Sequence, residues 1–265
     1  MPQLVFMGTS DSRGVPRFYC DCAVCEEARS TGQNRRTRSS LLIQEDAGST
    51  SQNVLIDIGP DFQTQALRED LRKVDGLLIT HAHNDHVLGL GDLLDFMYYG
   101  SNDLPMYASE EVIPMVKARF AYVKLQDWLK PVTSELMLAG YQVSAFKVPH
   151  GANGFSYAYR FEKPDFCWVY CPDSINIPEE TEQTHMMNLD LLILGTSYWH
   201  ESYEMKYRSV YDVQEALALP SVQSAKQVIF THMSHDIDAR RVLNGETRLP
   251  EKVRLASDGL RVWVS

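Results

Sequence analysis

The chain lacks any apolar run of membrane length. Its opening, MPQLVFMGTS, has four apolar residues in a row, where a span needs ~20 and an export signal needs a basic start before a longer apolar core. No membrane role is expected, and the cytoplasm is the expected compartment. Positive charge is also scarce: 25 Lys and Arg stand against 35 Asp and Glu, a formal net charge of -10 spread along the chain. That balance argues against non-specific nucleic-acid binding and makes an anionic ligand dependent on local positive charge. Cysteine is sparse and odd in number. Five thiols without an export signal do not make a disulfide framework, which leaves metal ligation or burial as their use. Repeats, low-complexity tracts and Pro/Ser-rich linkers are missing, so residues 1–265 read as a single domain.

What is present is apolar material for a sizeable core, 44% of 265 residues. Strand-like runs come early, at QLVFMG (3–8), SSLLIQ (39–44), NVLIDIG (53–59) and GLLIT (76–80). They return at YQVSAFKVPH (141–150), FSYAYRF (155–161), FCWVYCPD (166–173), LDLLILG (189–195), KQVIFTH (226–232) and LRVWVS (260–265). Helical patterns fall at 61–73, 110–123 and 209–219, the last opening on Ser-x-x-Asp and closed by Pro220. Many strands with interspersed helices predict a layered α/β architecture whose functional loops lie at strand ends.

One such end is LLITHAHNDH (77–86), which carries His81, His83, Asp85 and His86 within six residues. Positions i, i+2, i+4 and i+5 share no helix face, so these side chains converge only from an extended loop, with His86 starting the next helix. Imidazole and carboxylate suit zinc, manganese or iron. His150, Asp173 and His232 each close a later strand-like run, which makes seven ligands at strand ends.

This pattern resembles the metallo-β-lactamase superfamily, marked by His-x-His-x-Asp-His after a buried strand and by His, Asp and His at later strand ends. The resemblance implies a four-layer αββα sandwich with two divalent ions, manganese or zinc or else iron. One would be held by His81, His83 and His150, the other by Asp85, His86 and His232, with Asp173 bridging them as a catalytic group. Asp57 matches a further position and is read as orienting a ligating histidine.

FYCDCAVCEEA places Cys20, Cys22 and Cys25 in a loop at about 18–28. His235, three residues beyond His232, is the natural fourth ligand of a structural Cys3His zinc. The cysteine spacing, with MGTSDSRGVP before it and NRRTRSS after it, resembles the PhnP-like subgroup. That resemblance implies a cytoplasmic phosphodiesterase, a homodimer by weak extension, acting on a small cyclic phosphate or nucleotide-like ester with water activated between the ions. Ribonuclease Z-like RNA cleavage and a PqqB-like non-catalytic carrier are the alternatives. The acidic chain ranks the first low, since nucleic acid is not an expected partner. The complete ligand set disfavours the second.

The subgroup also implies a proton-donating histidine near the helix after the penultimate core strand. Here Val210 takes that place, and His200 is the substitute candidate. Ser12 and Arg13, after the first strand, are candidate substrate contacts. Arg35, Arg36 and Arg38 read as a solvated or ion-paired face, Cys167 and Cys171 as buried hydrophobes, and His185 as a surface residue.

Overall fold

A computed structural model describes residues 2–45, 51–100, 103–123, 125 and 128–264. Its first sheet takes β1 (Gln3–Gly8), β2 (Ser40–Glu45), β3 (Gln52–Ile56), β4 (Gly76–Ile79), β5 (Met106–Ala108) and β6 (Leu129–Pro131). The second takes β7 (Met137–Leu138), β8 (Tyr141–Pro149), β9 (Phe155–Lys163), β10 (Phe166–Cys171), β11 (Leu191–Gly195), β12 (Gln227–Thr231) and β13 (Val253–Leu255). The last strand, β14 (Arg261–Trp263), returns to the first sheet beside β1. The orders are β14-β1-β2-β3-β4-β5-β6 and β13-β12-β11-β10-β9-β8-β7.

The near-continuous apolar strands follow from burial on both faces. Leu41 and Ile43 of β2 face the second sheet with Tyr141, Phe161 and Trp168, whereas Leu42 between them faces outward with Leu55, Leu77 and Ile79. Outside that face lie helices including α4 (Leu90–Gly100) and α5 (Val112–Arg119), which contribute Leu90, Leu93, Val112 and Val116. Trp168 stacks on Phe161 at 4.0 Å between the sheets. The architecture is the expected sandwich of two sheets flanked by helices.

Several local expectations change. The cysteine segment is not all loop, since α1 (Ala23–Ser30) carries Cys25 on its buried side. The helix after β4, α3 (Asn84–Val87), begins before His86 and carries Asp85 with it. Helix α2 (Phe62–Arg68) is shorter than its pattern. In α7 (Val213–Ala218) the cap is Asp212, whose side chain accepts from the Glu215 N–H while Glu215 reaches back, so the capping box lies three residues beyond Ser209. Pro220 then starts the next helix. Arg36 is no solvated residue: it is 3% exposed and donates to the carbonyls of Ser234 (3.2 Å) and Ile237 (2.8 Å). Cys171 is buried, Cys167 is half-buried, and His185 stacks on Phe146 at 4.6 Å.

The parallel pairings β3–β4 and β10–β11–β12 point the carboxyl ends of those strands the same way, and the loops leaving them meet at one rim. The approach there is tight. A Cβ on Gly195 would lie 1.6 Å from the Pro172 carbonyl oxygen and 3.3 Å from Cβ of His232. Gly195→Ala should therefore destabilise the fold by roughly 1–3 kcal/mol or more. Urea unfolding checks this, and an unchanged midpoint would contradict the close approach.

Candidate metal centres

The strand ends deliver the predicted ligand types to one place. His81, His83 and His150 bring their ligating atoms within 4.8 Å of one another, and so do Asp85, His86, Asp173 and His232. Asp173 lies between the groups. Its Oδ2 is 3.4 Å from Nε2 of His81 and 2.8 Å from Nε2 of His86, and its Oδ1 is 3.1 Å from Nε2 of His232.

Neighbouring groups fix which ring nitrogen faces inward. Asp57, wholly buried, accepts from the Thr80 N–H at 2.8 Å and lies 2.7 Å from Nδ1 of His86, which keeps the ring proton outward and turns the Nε2 lone pair to the centre. His150 does the same with Nδ1 toward the Ser209 carbonyl at 2.7 Å. His81 points Nδ1 at the Thr80 hydroxyl, 2.9 Å away, and Nε2 inward. His83 reverses the choice, with its Nδ1 2.8 Å from Nε2 of His81.

Lone pairs aimed at carboxylates and at one another do not satisfy each other. His86 Nε2, Asp173 Oδ1 and both ring nitrogens of His232 are buried without a hydrogen bond. Such orphans are rare in native proteins, and divalent cations would satisfy His86 Nε2, Asp173 Oδ1 and Nε2 of His232. Burial, then the charge of His86, lowers the His81 basicity, and burial with His150 lowers that of His83, which favours the neutral ligating imidazole. Burial pushes the Asp173 carboxyl upward, but the imidazoles of His232, His150 and His86 outweigh it and hold it well below the carboxylate range. Two of the site residues adopt a left-handed backbone conformation rare for anything but glycine, Asp57 at φ 61° and His232 at φ 57°.

The cysteine cluster forms a second centre. Sγ of Cys20, Cys22 and Cys25 lie 3.3, 3.5 and 3.3 Å from Nδ1 of His235. Three thiols and an imidazole about one point fit tetrahedral zinc. All three cysteines are free of disulfides. Arg36 holds the loop that carries His235, through the Ser234 and Ile237 carbonyls on either side of it.

The first centre forms the floor of an open cavity of about 660 Å³, with Ser12 and Arg13 on its wall. His200 departs from its expected role. It is not on that wall; its side chain is 65% exposed and its Nδ1 lies 3.3 Å from Asp212, the cap of α7. Val210 does line the cavity, so an apolar side chain stands where the subgroup's histidine was expected. Asp11 of the same loop also lines it, and sequence reasoning missed Arg119 and Tyr198, which do so too. Nothing in their spacing marks them. Arg119 donates to the Asn84 side chain at 2.6 Å, beside the histidine cluster.

Asp57→Asn should leave the fold intact and weaken metal binding at the histidine–aspartate cluster by roughly 10–100-fold. Metal titration followed by calorimetry checks this. Wild-type affinity would remove Asp57 from the site.

The family description "Beta-lactamase superfamily domain" matches residues 52–233. A crystal structure described as a new diphosphatase from the PhnP family is 31% identical, covers 99% of this chain and 98% of its own, and superposes with a TM-score of 0.82. Zinc-bound PqqB from Methylobacterium extorquens is similar at 18% identity, with 98% and 99% coverage and a TM-score of 0.73, a likeness of fold. Among curated proteins, an octanoyltransferase of Porphyromonas gingivalis is 40% identical over 119 residues. That match takes in 45% of this chain and 23% of the relative. Coenzyme PQQ synthesis protein B of Methylobacterium radiotolerans is 27% identical over 164 residues, 56% of this chain and 52% of the relative. The chain thus spans about half or less of the length of these curated relatives. No helix among the described residues is long and apolar enough to cross a membrane. With the family match over most of its length and the PhnP-family structure aligned end to end, the chain is a member of the metallo-β-lactamase superfamily, in its PhnP-like subgroup.

Proposed function

We propose that the protein is a dinuclear phosphoric ester hydrolase acting on a small phosphodiester or diphosphate, either a cyclic phosphate or a nucleotide-like ester. The carrying observation is the convergence of seven ligand groups, six of them buried and His83 half-buried, with four of their atoms unpaired, at the floor of an open cavity. Manganese or zinc ions held there would polarise the phosphoryl oxygens and acidify an attacking water. A diphosphatase of the same subgroup supports phosphorus as the reacting centre.

The chain's own residues have separable tasks. His81, His83 and His150 would hold one ion, Asp85, His86 and His232 the other, and Asp173 both. Asp57, Thr80 and the Ser209 carbonyl keep the ring protons away from the centre. Arg13 and Arg119, on the cavity wall, supply the positive charge that an acidic chain otherwise denies an anion. Cys20, Cys22, Cys25 and His235 would hold a structural zinc.

Val210 offers no proton to a leaving group, and His200 faces away. The reaction should therefore favour esters with good leaving groups.

Metal analysis with a small ester panel tests this reading. Asp173→Ala should lose metal together with activity, while His200→Ala should leave rates on alkyl and aryl esters within about twofold of wild type, since surface changes are close to neutral. Fully metallated protein that turns over neither cyclic ribose phosphates, cyclic nucleotides, diphosphates nor aryl phosphodiesters would sink the proposal. Arg13→Ala should raise KM by roughly tenfold with kcat little changed, as expected when binding common to substrate and transition state is lost. A KM unchanged by Arg13→Ala would take that side chain out of substrate binding.

A further inference from the structure

The cysteine cluster and the cavity share a wall, and one side chain joins them. Arg17 is 6% exposed. Its backbone belongs to the cysteine segment: the Arg17 N–H donates to Sγ of Cys25 at 3.4 Å, and its carbonyl accepts from the Cys20 N–H at 3.1 Å. Its side chain leaves the cluster. Nη1 lies 2.7 Å from Nε2 of His235, and Nη2 donates to Oδ2 of Asp11 at 3.0 Å.

Asp11 is on the cavity wall. Its other carboxylate oxygen accepts from the Arg13 N–H at 3.1 Å, closing the turn that presents Ser12 and Arg13, and its own N–H donates to the Met233 carbonyl at 3.2 Å, next to His232. Gly14, at φ 71°, completes the turn. Arg17 thus does two things at once: it neutralises a carboxylate beside the seat of an anionic substrate, and it holds the turn that carries Arg13.

We propose that Arg17 is a positioning residue that carries the state of the cysteine–histidine cluster to the cavity, so that an intact cluster sets how tightly the cavity grips an anionic ester. If the cluster comes apart by loss of its metal, the backbone anchor of Arg17 goes with it. Asp11 is then left as an uncompensated charge facing the ligand. The coupling acts on affinity because neither Arg17 nor Asp11 is among the ligands of the two-ion centre. The meaning given to KM here rests on the hydrolase reading, but the affinity for inorganic phosphate does not.

The test uses the full chain with metal content measured at both clusters. Arg17→Gln should raise KM for bis(4-nitrophenyl) phosphate, and weaken inorganic phosphate binding in calorimetry, by roughly tenfold, a typical coupling between sites. Both kcat and the metal content of the histidine–aspartate cluster should stay at wild-type values. Adding Asp11→Asn to Arg17→Gln should restore phosphate affinity, because the exposed negative charge is removed; a purely structural role for Arg17 predicts no such rescue. Should Arg17→Gln fold poorly, Arg17→Lys keeps the charge and loses the two-pronged geometry, and should fall between wild type and Arg17→Gln in phosphate affinity. Unchanged phosphate affinity in Arg17→Gln would overturn the proposal, as would weakened binding that tracks metal lost from the histidine–aspartate cluster, or a double variant no better than the single one. Wild-type protein that hydrolyses no ester would end the hydrolase reading while leaving the phosphate measurements to decide this one.

Discussion

Buried carboxylates and imidazole nitrogens crowded against one another at a single point set the conditions for everything else in this molecule. Asp85 and Asp173 are sequestered from water, and the inward nitrogens of His81, His83, His86 and His232 meet their oxygens or each other, while Asp57 holds the outward Nδ1 of His86. A protein interior does not tolerate such a cluster unless cations balance it. The fold makes the cluster possible. Two sheets, each covered on its outer face, bring the loops that follow β4, β8, β10 and β12 to one rim, and the double burial of the strands gives those loops a rigid base.

Much of this was legible in the chain. His-x-His-x-Asp-His is readable because its ligand types crowd directly behind a four-residue apolar strand, although Asp85 and His86 sit on α3 and not in an extended loop, and His150, Asp173 and His232 are readable because each stands where an apolar run gives out. The cysteine centre was half legible: the spacing of Cys20, Cys22 and Cys25 was plain, while His235 had to be inferred across more than two hundred residues. Its ring nonetheless lies against the thiols.

What sequence could not report is which polar residues leave the solvent. Arg36 reads as one member of a basic surface run, yet it is buried against backbone carbonyls and shapes the loop of His235. Arg17 has no motif around it, and its contact with Asp11, six residues earlier, depends on how the segment between β1 and α1 folds back on itself. His200 fails for the opposite reason. A histidine near the expected place was the natural candidate, but the local backbone turns it outward onto the α7 cap and gives the cavity Val210 instead. Periodicity speaks to faces of strands and helices; it says nothing of where a loop side chain points.

The unpaired atoms around Asp173 and the left-handed backbone at Asp57 and His232 make the folded chain a ligand-dependent state. An ion that binds this arrangement and not the unfolded chain adds free energy by mass action, about 2.7 kcal/mol when its concentration is a hundredfold above its dissociation constant. Since a whole domain is commonly stable by only ~5–15 kcal/mol, such an increment is a large part of the margin. The amount of this protein that survives in a cell would then follow the supply of the metal it uses, with scarcity read as unfolding and degradation before it is read as a slower enzyme.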